Sequence, residues 1–156
     1  MRARASRVPP GGAIDSLALA SAHALAGNPL DAAGLEWALG GGSIKFERDA
    51  VFVLSGARAQ ATLSGQSVAP CTTVYARSGD ELAIERISSG RFLYVAVGGG
   101  IEVPVVLGSR STYLPGRFGG SDGRPLRHGG PLALGAPACR PPPAGGHSRA
   151  DLPPPP

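Results

Sequence analysis

The chain of 156 residues has room for one ordinary domain, and an apolar fraction of 42% is enough to give it a core. Glycine at 24 and proline at 16 exclude long helices over most of it, and no apolar run reaches the ~18 residues that a membrane-spanning helix needs. The formal charge of +4 resides at the ends (Arg2, Arg4, Arg7, Arg140 and Arg149, less Asp151), whereas residues 8–134 carry ten basic and ten acidic side chains; so neutral a body, with few and scattered aromatics, excludes a nucleic-acid surface.

Residues 1–7 are basic but lead into no apolar stretch, so they are an unstructured head rather than a secretory signal. The segment "AIDSLALASAHALAGNP" (13–29) predicts the one helix. Asp15 caps its start, Ala and Leu fill its interior, Gly27 and Asn28 suit a left-handed end, and Pro29 stops it. His23 within it is expected to be partly exposed or satisfied. The period then changes. "SIKF" (43–46), "AVFVLS" (50–55), "ARAQATL" (57–63), "TTVYA" (72–76), "ELAIERI" (81–87) and "FLYVAV" (92–97) read as short strands, with turns at "SGQS" (64–67) and "RSGDE" (77–81). In "ELAIERI", Leu82 and Ile84 share one side, and Glu81, Ala83, Glu85 and Ile87 the other, as in an antiparallel sheet with one wet face. Short strands with close turns predict a mainly β barrel or sandwich. From residue 135 the chain turns proline-rich and lacks aromatics, which predicts a disordered tail over 135–156.

The usual site signatures are missing. The lone lysine, Lys45, lies outside any P-loop pattern. "GGGIEV" (98–103) follows a strand but opens no helix, because Val103-Pro104 blocks one. Ser111 in "GSRST" lacks a nucleophile-elbow context, and His128 occupies an Arg-His-Gly-Gly turn. Three dispersed histidines give no metal site, and Cys71 and Cys139 give neither a zinc site nor a disulfide framework. They read as free thiols in a reducing cytoplasm. That leaves "GSRSTYLPGRFGGSDGR" (108–124). Arg110 and Arg124 can each bind a carboxylate or phosphate bidentately, Ser109, Ser111 and Thr112 add hydroxyls, and glycines such as Gly120 let a ligand approach the backbone. On residue types alone a plain surface loop fits as well as an anion site.

Three segments, "VPPGGAIDSLALASAHALAGNP" (8–29), "GLEWALGGGSIKF" (34–46) and "FLYVAVGGGIEVPVVLGSRSTYLPGRFGGSDGRPL" (92–126), together resemble the biotin-dependent carboxyltransferase family, subdomains A and B. That family is also known as allophanate hydrolase subunit 2 and includes the C subunit of 5-oxoprolinase and Kip-type regulators. The resemblance implies a cyclophilin-like β-barrel. It also implies one of three activities: ATP-dependent opening of 5-oxoproline to glutamate with complementary subunits, transfer of a carboxyl group from carboxybiotin to urea, or binding of a Kip-type partner. It implies that Arg110 and Arg124 supply charge to an anion oriented by Ser109, Ser111 and Thr112. Asp15 and Glu36, in the other two segments, are the candidates for substrate binding or acid–base work; the plainer roles are a helix cap for Asp15 and an ion pair for Glu36.

The sequence departs from the family pattern at both ends. "MRARASR" stands where members carry a first strand and a "TTVQDLGR-x-G-Y"-like segment, and the match fades near Leu134, before the second barrel-like half. The chain is therefore expected to be a partial domain over 8–134, a cytoplasmic protein without membrane or nucleic-acid partners that works only alongside complementary subunits.

Overall fold

The computed structural model describes residues 11–138, so the head over 1–7, the proline-rich segment from 139 onward and Cys139 lie outside the described residues. The helix α1 spans Ser16–Leu25, shorter at both ends than the segment that predicts it. Asp15 stops it at the front, its Oδ1 accepting from the Ala18 N–H at 2.9 Å. At the back, Asn28 N–H donates to His23 O at 2.8 Å and Gly27 N–H to Ala24 O at 3.2 Å, with Gly27 at φ 72°. This paired closure satisfies carbonyls that the helix leaves open.

Among the described residues, six strands form one antiparallel sheet: β1 (Leu35–Ala38), β2 (Gly42–Lys45), β3 (Ala50–Leu63), β4 (Gln66–Ser67), β5 (Val74–Ala76) and β6 (Glu81–Val97). The expected strands 50–55 and 57–63 are one strand, β3, and 81–87 and 92–97 are one strand, β6. These two pair from Phe52↔Val97 to Leu63↔Leu82. The expected turn at 64–67 is narrower, because Ser64 and Gly65, at φ 47° and 86°, make a two-residue hairpin and release Gln66 and Ser67 to pair with β3. The ladder slips near Gly56, Arg58 and Gln60. The slip at Gln60/Ala61 reverses the alternation of β6, so Ile87 packs on the same core as Leu82 and Ile84 instead of opposite them.

The sheet is not a closed barrel, which corrects the expectation above. β1 and β2 both pair with β6, β4 and β5 both pair with β3, and no described outer strand bonds to the opposite edge. It is nonetheless strongly curled. Lys45 pairs with Glu81 at one end of β6, and Phe52 pairs with Val97 at the other. Drawn flat, those ends would be about 50 Å apart. Yet the Phe46 and Phe52 rings stack with centroids 5.4 Å apart. The concave face holds the main core, including Phe52, Leu54, Leu82, Ile84, Leu93 and Val95. On the other face α1 and its C-terminal cap lay Ala22 and Ala26 on Val53 and Ala96, small residues that let the helix approach closely.

The curl depends on two facing glycines. Gly56 at φ 85° and Gly90 at φ 87° lie where the ladder breaks. A Cβ on Gly56 would meet Phe92 O at 2.6 Å, and one on Gly90 would meet the Ala57 Cα at 2.9 Å. Both conformations are disfavoured for L side chains, and here there is no room for one. Gly56→Ala is therefore expected to cost roughly 2 kcal/mol or more in urea denaturation; a midpoint equal to that of the unaltered chain would show that the bend does not depend on this glycine.

Candidate functional site

The pairing of β1 with β6 places Glu36 opposite Tyr94. Leu35 and Trp37 pack against the concave core, so alternation sends Glu36 to the helix side, where α1 begins. Tyr94 is fully buried, and its Oη–H donates to Glu36 Oε2 at 2.8 Å. The same Tyr94 oxygen accepts from the Asp15 N–H at 2.8 Å, and Glu36 Oε2 also accepts from the Ile14 N–H at 2.8 Å. Burial pushes the Tyr94 phenol above its ordinary value; the Asp15 N–H opposes this and the Glu36 carboxylate adds to it. The phenol therefore stays protonated and remains the donor. One carboxylate oxygen of Glu36 is thus fixed by a phenol and a backbone amide, while the side chain remains exposed at the surface. A carboxylate held in this way can accept a hydrogen bond or a proton from a bound molecule.

Asp15 is spoken for, since its carboxylate caps α1. Its backbone amide, rather than its side chain, completes the Tyr94 cluster.

The segment 108–124 folds as a series of tight turns. Val106 and Ser109 exchange backbone hydrogen bonds around Leu107 and Gly108, at φ 51° and 78°. Ser109 and Ser111 share a hydroxyl–hydroxyl bond of 2.8 Å, and the Ser111 N–H donates to Ser109 Oγ at 3.1 Å. Thr112 is wedged between glycines: a Cβ on Gly120 would overlap its Oγ1, and one on Gly11 would lie 2.6 Å from its carbonyl oxygen. Gly11 thus connects this segment to the stretch of chain that carries Ile14 and Asp15 to Glu36.

Arg110 and Arg124 do not form the single cradle expected of them. Arg110 Nη1 donates to Val103 O at 2.7 Å, and the side chain lines an open concavity of about 410 Å³ together with Asp31, Glu102, Gly99 and Gly100. Arg124 lines a separate concavity of about 390 Å³ with Arg117 and Leu114, and forms an exposed 3.3 Å ion pair with Asp122. Such a surface pair contributes little. Residue spacing alone could not show that the turns at 113–118 send the two guanidinium groups to different hollows.

His23 also differs from expectation. It is wholly buried, Asn28 holds its Nδ1 at 3.1 Å, and Nε2 has no hydrogen-bond partner among the described residues. Burial lowers its pKa, while the Ala32 backbone and Asp31 act the other way. His128 is in an exposed turn and Cys71 is exposed; among the described residues no three His, Cys, Asp or Glu side chains gather as for a metal ion. Among the described residues no helix is long and apolar enough to cross a membrane. The residue that sequence reasoning missed is Tyr94, read as one more apolar member of "FLYVAV"; its only signal was a hydroxyl in an otherwise apolar run.

Tyr94→Phe keeps the ring but strands the Asp15 N–H and frees one side of Glu36. A loss of about 1–3 kcal/mol in chemical denaturation is expected. An unchanged midpoint would mean that water serves both groups equally well.

The profile of the carboxyltransferase domain, subdomain A and B, matches residues 7–156. Over 124 residues the chain is 40% identical to the C subunit of 5-oxoprolinase from Escherichia coli, covering 80% of this chain and 40% of that one. Over 130 residues it is 37% identical to the urea amidolyase of Lachancea kluyveri, covering 83% of this chain and 7% of that one. The crystal structure of Kluyveromyces lactis urea carboxylase superposes with a TM-score of 0.79 at 35% identity, over 81% of this chain and 11% of that one. The chain spans less than half the length of each of these relatives. The three segments that meet around Tyr94 and Thr112 lie within the profile match, and the chain belongs to the carboxyltransferase domain, subdomain A and B, family.

Proposed function

We propose that the chain contributes to an ATP-dependent 5-oxoprolinase, which opens the lactam of 5-oxoproline to glutamate, and that it does so together with complementary subunits. The observation that carries this reading is the fixed carboxylate of Glu36. Lactam opening requires proton movement at an amide, and a carboxylate anchored on one oxygen by the Tyr94 hydroxyl and the Ile14 N–H is oriented to accept or return a proton with the other. The 40% identity to the 5-oxoprolinase protein of Escherichia coli supports the choice of reaction.

The described residues do not fit ATP. No lysine-bearing phosphate loop is present, Arg110 and Arg124 line different concavities, and the amides of Gly99, Gly100, Ile101 and Glu102 beside Arg110 are already bonded within the protein. Nucleotide handling is accordingly assigned to the complementary subunits. Arg110, with Nη1 held by Val103 O and the side chain among those that line the concavity, fits a substrate carboxylate as the plainest ligand. Ser109, Ser111, Thr112 and Gly120 shape the turn that presents it. The likeness to urea carboxylase favours a second reading, in which the same Arg110 binds the carboxylate of carboxybiotin by hydrogen bonds while urea accepts the carboxyl group directly and biotin leaves.

Reconstitution separates these readings. With complementary 5-oxoprolinase subunits, 5-oxoproline and ATP, glutamate formation is expected to require this chain. Glu36→Gln should lower the rate about 10²-fold, the size of a lost acid–base contribution. Full activity of that variant would remove Glu36 from the chemistry. Urea-dependent discharge of carboxybiotin, with no glutamate formed, would establish the second reading instead.

A further inference from the structure

We propose that His23 and Asn28 form a proton-sensitive latch that holds the Gly98–Gly100 turn, and with it one wall of the Arg110 concavity, in place only while the histidine is neutral. The latch is independent of which reaction the site serves.

The hydrogen-bond partners fix the chemistry without ambiguity. Asn28 Nδ2 donates to Val97 O at 2.8 Å, and Asn28 Oδ1 accepts from the Gly99 N–H at 2.8 Å. A carbonyl can only accept and a backbone amide can only donate, so the orientation of the Asn28 amide is set. Its second N–H then points at His23 Nδ1, 3.1 Å away, and that nitrogen must accept. The proton of the neutral ring is therefore on Nε2. That atom is buried without a partner among the described residues, close under Gly34, whose Cβ, if it had one, would lie 3.3 Å from it.

Protonation would place an N–H on Nδ1, facing the N–H of Asn28. The amide can relieve this only by turning over. Its oxygen would then serve the imidazolium, but its NH₂ would face the Gly99 N–H, and Val97 O would lose its donor. The imidazolium and the present turn thus compete for a single side-chain oxygen. Gly99 and Gly100 line the concavity with Arg110, Asp31 and Glu102, so release of the turn reaches that hollow directly.

The surroundings set the direction. α1 carries no other titratable side chain. The sheet presents Val53, Ser55, Tyr94 and Ala96 to the helix, and the Tyr94 hydroxyl is engaged at the opposite end with Asp15 and Glu36. From the segment after the helix, Asp31 and the Ala32 backbone favour the charged ring, but burial outweighs them and lowers the pKa. In the unfolded chain the ring takes its proton first as pH falls. The latch is therefore closed above the ordinary histidine value of 6.5 and opens as pH falls below it.

The test is a pH titration of the full chain, followed by nuclear magnetic resonance at the His23 ring and the Gly99 amide. The expected result is a neutral Nε2–H tautomer at His23 and a Gly99 shift that titrates together with the His23 ring, at a midpoint below the ordinary histidine value of 6.5. In Asn28→Asp a carboxylate replaces the amide, and the His23 midpoint should rise above its value in the unaltered chain. In His23→Gln the Gly99 step should vanish. An Nδ1–H tautomer, a Gly99 amide indifferent to His23, or a Gly99 step that survives in His23→Gln would overturn the proposal. So would global unfolding before any separate Gly99 step. If either variant fails to fold, the titration of the unaltered chain decides by itself.

Discussion

The hydroxyl of Tyr94 is the point on which the arrangement of the site depends. It is an oxygen on a fully buried ring, and it meets the amide that begins α1 and the carboxylate of an edge strand. Each of these groups would be costly to leave without a partner at a partly buried position. Satisfying them together brings residues 14–15, 36 and 94 to one place, and Gly11 then brings the turn at Ser111 and Thr112 against the same stretch. The site is in this sense a consequence of closing the helix face of the sheet.

That closure requires a sheet that curls. Two glycines in the left-handed region bend β3 and β6 where their ladder slips, and the Phe46–Phe52 stack joins ends that a flat sheet would keep far apart. The bend leaves one face for a compact apolar core and the other for a helix packed on small side chains. It also fixes parity, which directs Leu35 and Trp37 inward and Glu36 toward Tyr94.

Much of this was legible in the residues. The helix, its Asp15 cap and its Gly27 end follow from local chemistry, four of the six strand-like runs fall within β3 and β6, and the other two overlap β2 and β5. What could not be read was whatever depends on register. Alternation cannot reveal that Gly56 leaves β3 unbroken, nor that a slip at Gln60 moves Ile87 to the core side. Closure of the barrel was an inference from the family, whereas in the described residues the edges stay apart. The candidate residues fared according to the same rule. Glu36 was singled out from its motif, but its partner was hidden inside an apolar strand. Arg110 and Arg124 looked alike in sequence, and the turns between them separate them. His23 gave no sign of full burial, because an alanine-rich helix discloses little about which of its faces is covered.

The direct trial of this account is a double-mutant cycle on Tyr94→Phe and Glu36→Ala, the second chosen because it removes the acceptor for the Tyr94 hydroxyl, read as unfolding free energies in urea. A shared hydrogen bond predicts that the two substitutions together cost less than the sum of their separate effects, with a coupling of about 1 kcal/mol or more. Simple additivity of the two effects would show that the hydroxyl and the carboxylate do not depend on each other, and would contradict the convergence on which the site is built.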